Sequence, residues 1–203
     1  MSAESLFRVA FWSVFGGMIV MQTYFACRDR LVGKRAAAER RAVAREGSLR
    51  GVVRAVRSLA LVAFLVLYAV NPPWLRMLSL PFPAWLRWTG IALGIVGLAL
   101  YAWSRATLGR EWSSDLQMRE QHCLVTTGPY AWIRHPIYLA LLSFMTSMAL
   151  VTASWLFIAL LAFSIVDLAL RMPNEEQMMI QEFGDEYKAY IQRTGRLFPR
   201  ARP

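Results

Sequence analysis

The chain reads as an all-α integral membrane bundle: about five membrane-embedded helices, a C-terminal helical hairpin, and a cytoplasmic helix after it. Three observations predict this. Apolar residues make up 57% of the 203 residues and mean hydropathy is positive, which is membrane-grade composition. Uncharged runs of near-spanning length recur along the chain. The charges are segregated into the segments between those runs, the pattern of a chain threaded through a bilayer.

The first uncharged run is Val9 to Cys27. It lacks a small-residue cleavage site and its basic flank follows it, so it reads as a retained span rather than a signal peptide. Ten of the 23 Lys and Arg then fall between Arg28 and Arg57. With a net charge of +10, nucleic acid is a candidate partner, but no aromatic-interleaved basic face supports it. Positive-inside topology with affinity for anionic headgroups explains the loop better. The Ala- and Arg-rich stretch from Lys34 to Val56 is expected to be a helix on the cytoplasmic surface. A cytoplasmic basic loop puts the N-terminus outside. Cys27 and Cys123 form neither a disulfide framework nor a metal set, and no metal site is expected.

The second span, Ser58 to Leu75, runs outward to a stop at Asn71-Pro72-Pro73-Trp74. The third, Trp88 to Ser104, returns and makes Arg105 to His135 cytoplasmic. Gly90, Gly94 and Gly97 lie on or near one face of it, as close helix packing requires. Pro136 to Val166 is then 31 residues without a charge. One helix of that length would be roughly 46 Å long, against a hydrocarbon core of ~30 Å. A hairpin fits better, with Ile137 to Val151 up, a turn at Thr152-Ala153-Ser154, and Trp155 to Arg171 back. Its short arms leave open whether it crosses the bilayer fully. Both of its ends then face one water layer, so Arg134-His135 and Glu175-Glu176 can converge; a single span would separate them. Beyond Pro173, Met178, Met179, Phe183, Tyr187 and Ile191 give a helical stripe. The whole is expected to be a single membrane domain over 1–203. Residues 1–104 supply the N-terminal spans and basic loop, and residues 105–203 the functional half.

Taken singly, the polar residues have ordinary explanations. Arg134, His135 and Tyr138 suit interfacial anchoring, Glu175-Glu176 suit a helix start, and Asp167 and Arg171 suit an ion pair four residues apart. Together they carry a pattern. His122-x-Leu124-Val125-Thr126-x-Gly128-Pro129-Tyr130 leads into Arg134-His135-Pro136-x-Tyr138. Asn174-Glu175-Glu176, Phe183-Gly184-x-Glu186-Tyr187-x-x-Tyr190 and Arg196-x-x-Pro199 follow. This text, over roughly residues 105 to 200, resembles the isoprenylcysteine carboxyl methyltransferase and phospholipid methyltransferase superfamily of integral-membrane enzymes. The Gly-x-Gly element of the amine-lipid branch is absent, as is the Gly-rich loop of soluble nucleotide-binding folds.

The resemblance implies methyl transfer from S-adenosylmethionine to a lipophilic or amphiphilic acceptor, most simply a carboxylate. It implies an enzyme of the bacterial inner membrane with its site facing the cytoplasm. Arg134, His135 and Glu176 are the residues it places nearest the chemistry. It implies donor contacts from His122, Gly128, Tyr130, Arg134, His135, Tyr138, Glu175 and Arg196. Arg134, His135 and Tyr138 belong at the amino-acid end, with Arg196 a second carboxylate ligand. Glu175 faces the ammonium or ribose. A sterol-reductase-like enzyme using a nicotinamide cofactor and a non-catalytic scaffold are the competing readings. Acceptor identity and oligomeric state are not written in the sequence.

Overall fold

The computed structural model describes residues 3–31, 59, 62–109 and 124–200. Among them the protein is helical throughout, with no strand longer than an isolated bridge. The expected surface helix over 34–56 and His122 lie outside the described residues.

Helix α1 covers Ala3–Leu31. At 1.5 Å per residue it is about 43 Å long, enough to cross a bilayer. Helix α2 covers 62–70 and stops where the sequence predicts. Asn71 turns left-handed at φ 53°, and Pro72 and Pro73 follow without a backbone N–H to continue the ladder. A 3₁₀ turn, Pro73–Leu78, leads to α3, Ala84–Leu108. Helix α4 is Pro136–Thr152, with proline at its first turn, where a missing N–H costs nothing. It ends at Ala153 in the left-handed region, φ 47° and ψ 48°. Ser154 is extended, and α5 begins at Trp155. The expected hairpin and its turn are therefore present. Leu80 N–H donates to the Ala153 carbonyl at 2.6 Å, so the α2–α3 connection closes over that turn.

Helix α5 runs from Trp155 to Arg193. The hairpin's return arm and the C-terminal helix are one continuous run through Pro173, interrupted only by the non-helical Gly184, φ 53° and ψ −124°. Proline removes one donor near the membrane boundary, where water can satisfy the freed carbonyl, so no break follows. Only the stretch 155–171 has spanning character; from Asn174 onward the helix is polar.

Helices α3 and α4 pack most closely, and glycine is the reason. A Cβ at Gly90 would lie 2.7 Å from Leu150 Cβ, one at Gly94 2.5 Å from Ser147 Oγ, and one at Gly97 3.1 Å from the Ala140 carbonyl oxygen. The core beside this seam is aromatic: Phe11, Phe64, Tyr68, Phe144, Met148 and Phe157 are buried together. Outside it the surface is apolar, including Val20, Ile95, Val96, Phe163 and Val166. An apolar exterior wrapped around a small core is the signature of lipid as solvent. Exposed Trp74, Trp85, Trp88 and Trp155 ring one end of the bundle, and Trp103 and Trp132 mark the other. Helices α1, α3 and α5 are long and apolar enough to cross a membrane. Helix α4, at about 26 Å, falls slightly short. This is an integral membrane protein.

Candidate functional site

The site sits at the end of the bundle marked by Trp103 and Trp132, and the backbone assembles it first. Trp132 to His135 lies alongside Gly195 and Arg196 in a short parallel pairing. Arg134 N–H donates to the Gly195 carbonyl at 2.8 Å, His135 N–H to the Arg196 carbonyl at 3.1 Å, and Gly195 N–H to the Trp132 carbonyl at 3.0 Å. Gly195 is obligatory there. A Cβ would fall 1.6 Å from the Phe198 carbonyl oxygen, against backbone that cannot yield cheaply. The 3₁₀ turn Gly128–Ala131 buttresses the pairing from below. Gly128 has φ +58°, and a Cβ would meet Thr107 Oγ1 of α3 at 2.7 Å. Tyr190 donates its hydroxyl to the Tyr130 carbonyl at 2.7 Å, clamping α5 to the same turn.

On this frame the predicted residues converge. Glu176, on α5 beyond the membrane-spanning stretch, accepts from Arg134 Nε at 2.8 Å and from Arg196 Nε at 3.2 Å, with a further bond from Arg196 Nη2. His135 Nε2 stands 3.5 Å from Glu176 Oε1 and His135 Nδ1 3.7 Å from Glu175 Oε2. Both are ion-pair distances without hydrogen-bond alignment, and His135 Nε2 is buried with no hydrogen-bond partner. The His135 ring stacks on Tyr138 at 5.3 Å. Tyr138 in turn donates its hydroxyl to Glu175 Oε1, which also accepts from Arg171 Nε at 2.7 Å. Burial opposes ionisation of Glu176, but the His135 ring and the Arg196 and Arg134 guanidiniums outweigh it and hold the carboxyl well below the usual carboxylate range. The same pair raises Arg196 above its ordinary value, chiefly through its bonds to Glu176.

The two arginines differ. Arg134 is buried, and besides Glu176 it donates Nη1 to the carbonyls of Thr194 and Ile191. Its Nε and Nη1 are therefore committed to holding the frame. Arg196 is about half exposed and reaches Glu176 from the solvent side. Two carboxylates, three guanidiniums, a phenol and an imidazole meet at the hairpin mouth. Such a set can bind a zwitterion by opposite charge at both ends.

Gly128 and Tyr130 thus stand beneath the cluster as its support, while Arg134, His135, Tyr138, Glu175, Glu176 and Arg196 form it. Sequence reasoning missed Thr194, Gly195 and Tyr190 as frame residues. The one available signal was a glycine directly before Arg196. It also ended the third span at Ser104. Helix α3 continues to Leu108, and Arg105 in its last turn is 2% exposed and pairs with Asp29 of α1 at 2.8 Å. Arg171, expected to pair with Asp167, also donates to Glu175 one turn ahead at 2.7 Å, and Asp167 acts on it electrostatically.

Known proteins are similar to this chain. Residues 90–181 match the model of the isoprenylcysteine carboxyl methyltransferase (ICMT) family, a segment that contains the Arg-His-Pro-x-Tyr cluster and both glutamates. The structure of a eukaryotic intramembrane Ras methyltransferase, ICMT, superimposes with a TM-score of 0.66 over 98% of this chain and 68% of the other, at 22% sequence identity. Over residues 90–181 the chain is thus similar to the ICMT family. A cobalt-zinc-cadmium resistance protein of Cupriavidus metallidurans is 30% identical over 122 residues, covering 56% of this chain and 54% of the relative. The protein-S-isoprenylcysteine O-methyltransferase B of Arabidopsis thaliana is 32% identical over 115 residues, covering 54% and 57%. The chain thus spans about half the length of the curated relatives it matches. Relatives carrying such different names share a scaffold, so activity must be argued from the site.

Proposed function

We propose that this protein is an S-adenosylmethionine-dependent methyltransferase of the bacterial inner membrane. Its site faces the cytoplasm and it acts on a lipophilic or amphiphilic acceptor, a carboxylate in the simplest case. The observation that carries this reading is the meeting of Arg134, His135 and Tyr138 with Glu175, Glu176 and Arg196 at one mouth of an apolar hairpin. The basic loop Arg28 to Arg57, joined to the same end of α1, supports the cytoplasmic assignment.

The donor set fits the methyl donor. Its amino-acid end carries one carboxylate and one ammonium. Half-exposed Arg196 is placed to take the carboxylate, and Glu175 the ammonium or a ribose hydroxyl. His135 Nε2, buried and 3.5 Å from Glu176 Oε1 without a hydrogen bond, keeps bonding capacity for the donor. In this reading Gly128 and Tyr130 support the donor side through the turn beneath it. Arg134 and Glu176 act on the chemistry through geometry, by fixing the strand that bears His135 and the side chain of Arg196. The bound donor supplies a methyl group already activated by its sulfonium. The acceptor's lone pair forms the new bond to that carbon while the carbon–sulfur bond breaks and the sulfur keeps the electron pair. A carboxylate acceptor has no proton to lose, so the protein need supply only alignment and shelter from water.

Calorimetry with the donor and, separately, with reduced nicotinamide tests the assignment. Binding of the donor alone is expected. Binding of the nicotinamide alone would favour the reductase reading, and binding of neither would favour a scaffold.

A further inference from the structure

The parallel pairing that builds the site also carries a surface outside it. Trp132 and Phe198 are 53% and 71% exposed, and the pairing brings them together from opposite ends of the functional half. Gly195 bonds to the Trp132 carbonyl, and the Phe198 carbonyl folds tightly over Gly195. Trp103 of α3, also exposed, stacks edge-on against Trp132 at 5.8 Å. Two arginines border the patch on the tail. Arg193 is exposed in the last turn of α5. Exposed Arg200 bonds back only to the Gln192 carbonyl, at 3.1 Å, which leaves its charge uncompensated by any acid in that contact.

Aromatic rings beside uncompensated guanidiniums at the rim of an apolar bundle match one surface: a headgroup layer with negative charge. Rings of Trp and Phe settle at the boundary between acyl chains and headgroups. Arginines held near an anionic surface are attracted to it, and guanidinium pairs bidentately with phosphate. We infer that Trp103, Trp132 and Phe198, with Arg193 and Arg200, form a seat for an anionic phospholipid of the surrounding bilayer. The seat is distinct from the basic loop Arg28 to Arg57. It lies on the very strand that ends in Arg196, so an occupied seat holds that strand at headgroup depth.

The test uses the full chain in nanodiscs of brominated lipid, which quenches tryptophan on contact. The share of quenching that disappears in Trp132→Phe is the share due to Trp132. That share is expected to be about two-fold larger in discs containing brominated phosphatidylglycerol than in discs of brominated phosphatidylcholine. In an Arg193→Gln/Arg200→Gln background the two lipids are expected to give equal shares. Both substitutions lie on exposed side chains, so folding is preserved. Equal shares in the unsubstituted protein, or a preference for phosphatidylglycerol that survives the double substitution, would overturn the inference. The readout is independent of any methyl transfer.

Discussion

The bundle has a charged cluster at each end, and the two are built on different principles. At the end away from the site, Arg87 donates Nε to the Val151 carbonyl at 2.9 Å and both terminal nitrogens to Glu4. Arg8 donates to the carbonyls of Tyr68 and Ala69. Each guanidinium is spent on a helix terminus, and the one acid, Glu4, has a side chain 60% exposed. That end is a clamp joining α1, α2, α3 and α4. At the site end Glu176 is buried and Glu175 partly so, Arg171 and Arg196 are each about half exposed, and an imidazole nitrogen has no hydrogen-bond partner. Charges thus serve closure at one end and recognition at the other. What separates them is whether polar groups are left over.

The largest expected effect comes from Glu176→Gln. Removing the acid that gathers Arg134 and Arg196 strands buried charge, which costs on the order of 2–5 kcal/mol. We expect donor affinity measured by calorimetry to fall accordingly. Glu4→Gln at the clamp, whose carboxylate is in water, should cost under about 1 kcal/mol of stability and leave donor affinity unchanged. Similar losses of affinity in both variants would erase the distinction between the ends. The depressed pKa of Glu176 sets the pH behaviour as well. A carboxylate whose folded value lies below its unfolded one stabilises the fold above the unfolded value, ~4.3 for Glu. It loses that contribution only as pH falls through the folded value. Tm should therefore not drop through loss of this cluster between neutral pH and about pH 5. A Tm transition in that window that is absent in Glu176→Gln would contradict the assigned direction.

His135→Ala comes next. It should lower turnover roughly 100-fold through misalignment while the protein remains inserted, because insertion is set by the apolar spans. Arg87→Ala should do the reverse, lowering Tm with donor affinity intact. Donor-dependent turnover in nanodiscs, normalised to inserted protein, checks both. Full turnover in His135→Ala would reduce the imidazole to an interfacial anchor. Between the two ends, Gly94→Ala should destabilise by about 1–3 kcal/mol through overpacking against Ser147 and Val14. Gly16→Ala, with nothing within 4 Å, should be tolerated. Equal Tm values would deny the close α3–α4 seam. The smallest effect is at the clamp end. Ala153→Gly removes a left-handed alanine and should stabilise by about 1 kcal/mol, visible as a raised Tm.

Much of the scaffold was legible because the bilayer writes in large type. Thirty-one uncharged residues are too long for one crossing, and Thr152-Ala153-Ser154 is the natural place to turn, so the hairpin followed from length alone. The glycine seam followed from spacing. The convergence of Arg134, His135, Glu175 and Glu176 followed from topology once the hairpin was accepted. What stayed hidden was pairing between distant segments. Nothing in Arg105 says that it meets Asp29, because a charge next to an apolar run looks the same whether it caps a helix in water or is buried against a partner 76 residues away. The run of α5 through Pro173 was equally silent, since a missing donor is costly in lipid and harmless near water. The backbone register of Trp132 to His135 with Gly195 and Arg196 carries almost no side-chain signature beyond the glycine.

That register also imposes an order in time. Arg134 waits 60 residues for Thr194, roughly 3–12 s of ribosomal synthesis. Until Glu176 appears, 42 residues on, the nascent hairpin is already apolar enough to enter the bilayer, while Arg134 stands at its mouth without its carboxylate. An unanswered cation resists being drawn into lipid. The same guanidinium that later organises the site therefore serves first as a stop, holding the mouth of the hairpin in water until the strand that completes it has been made.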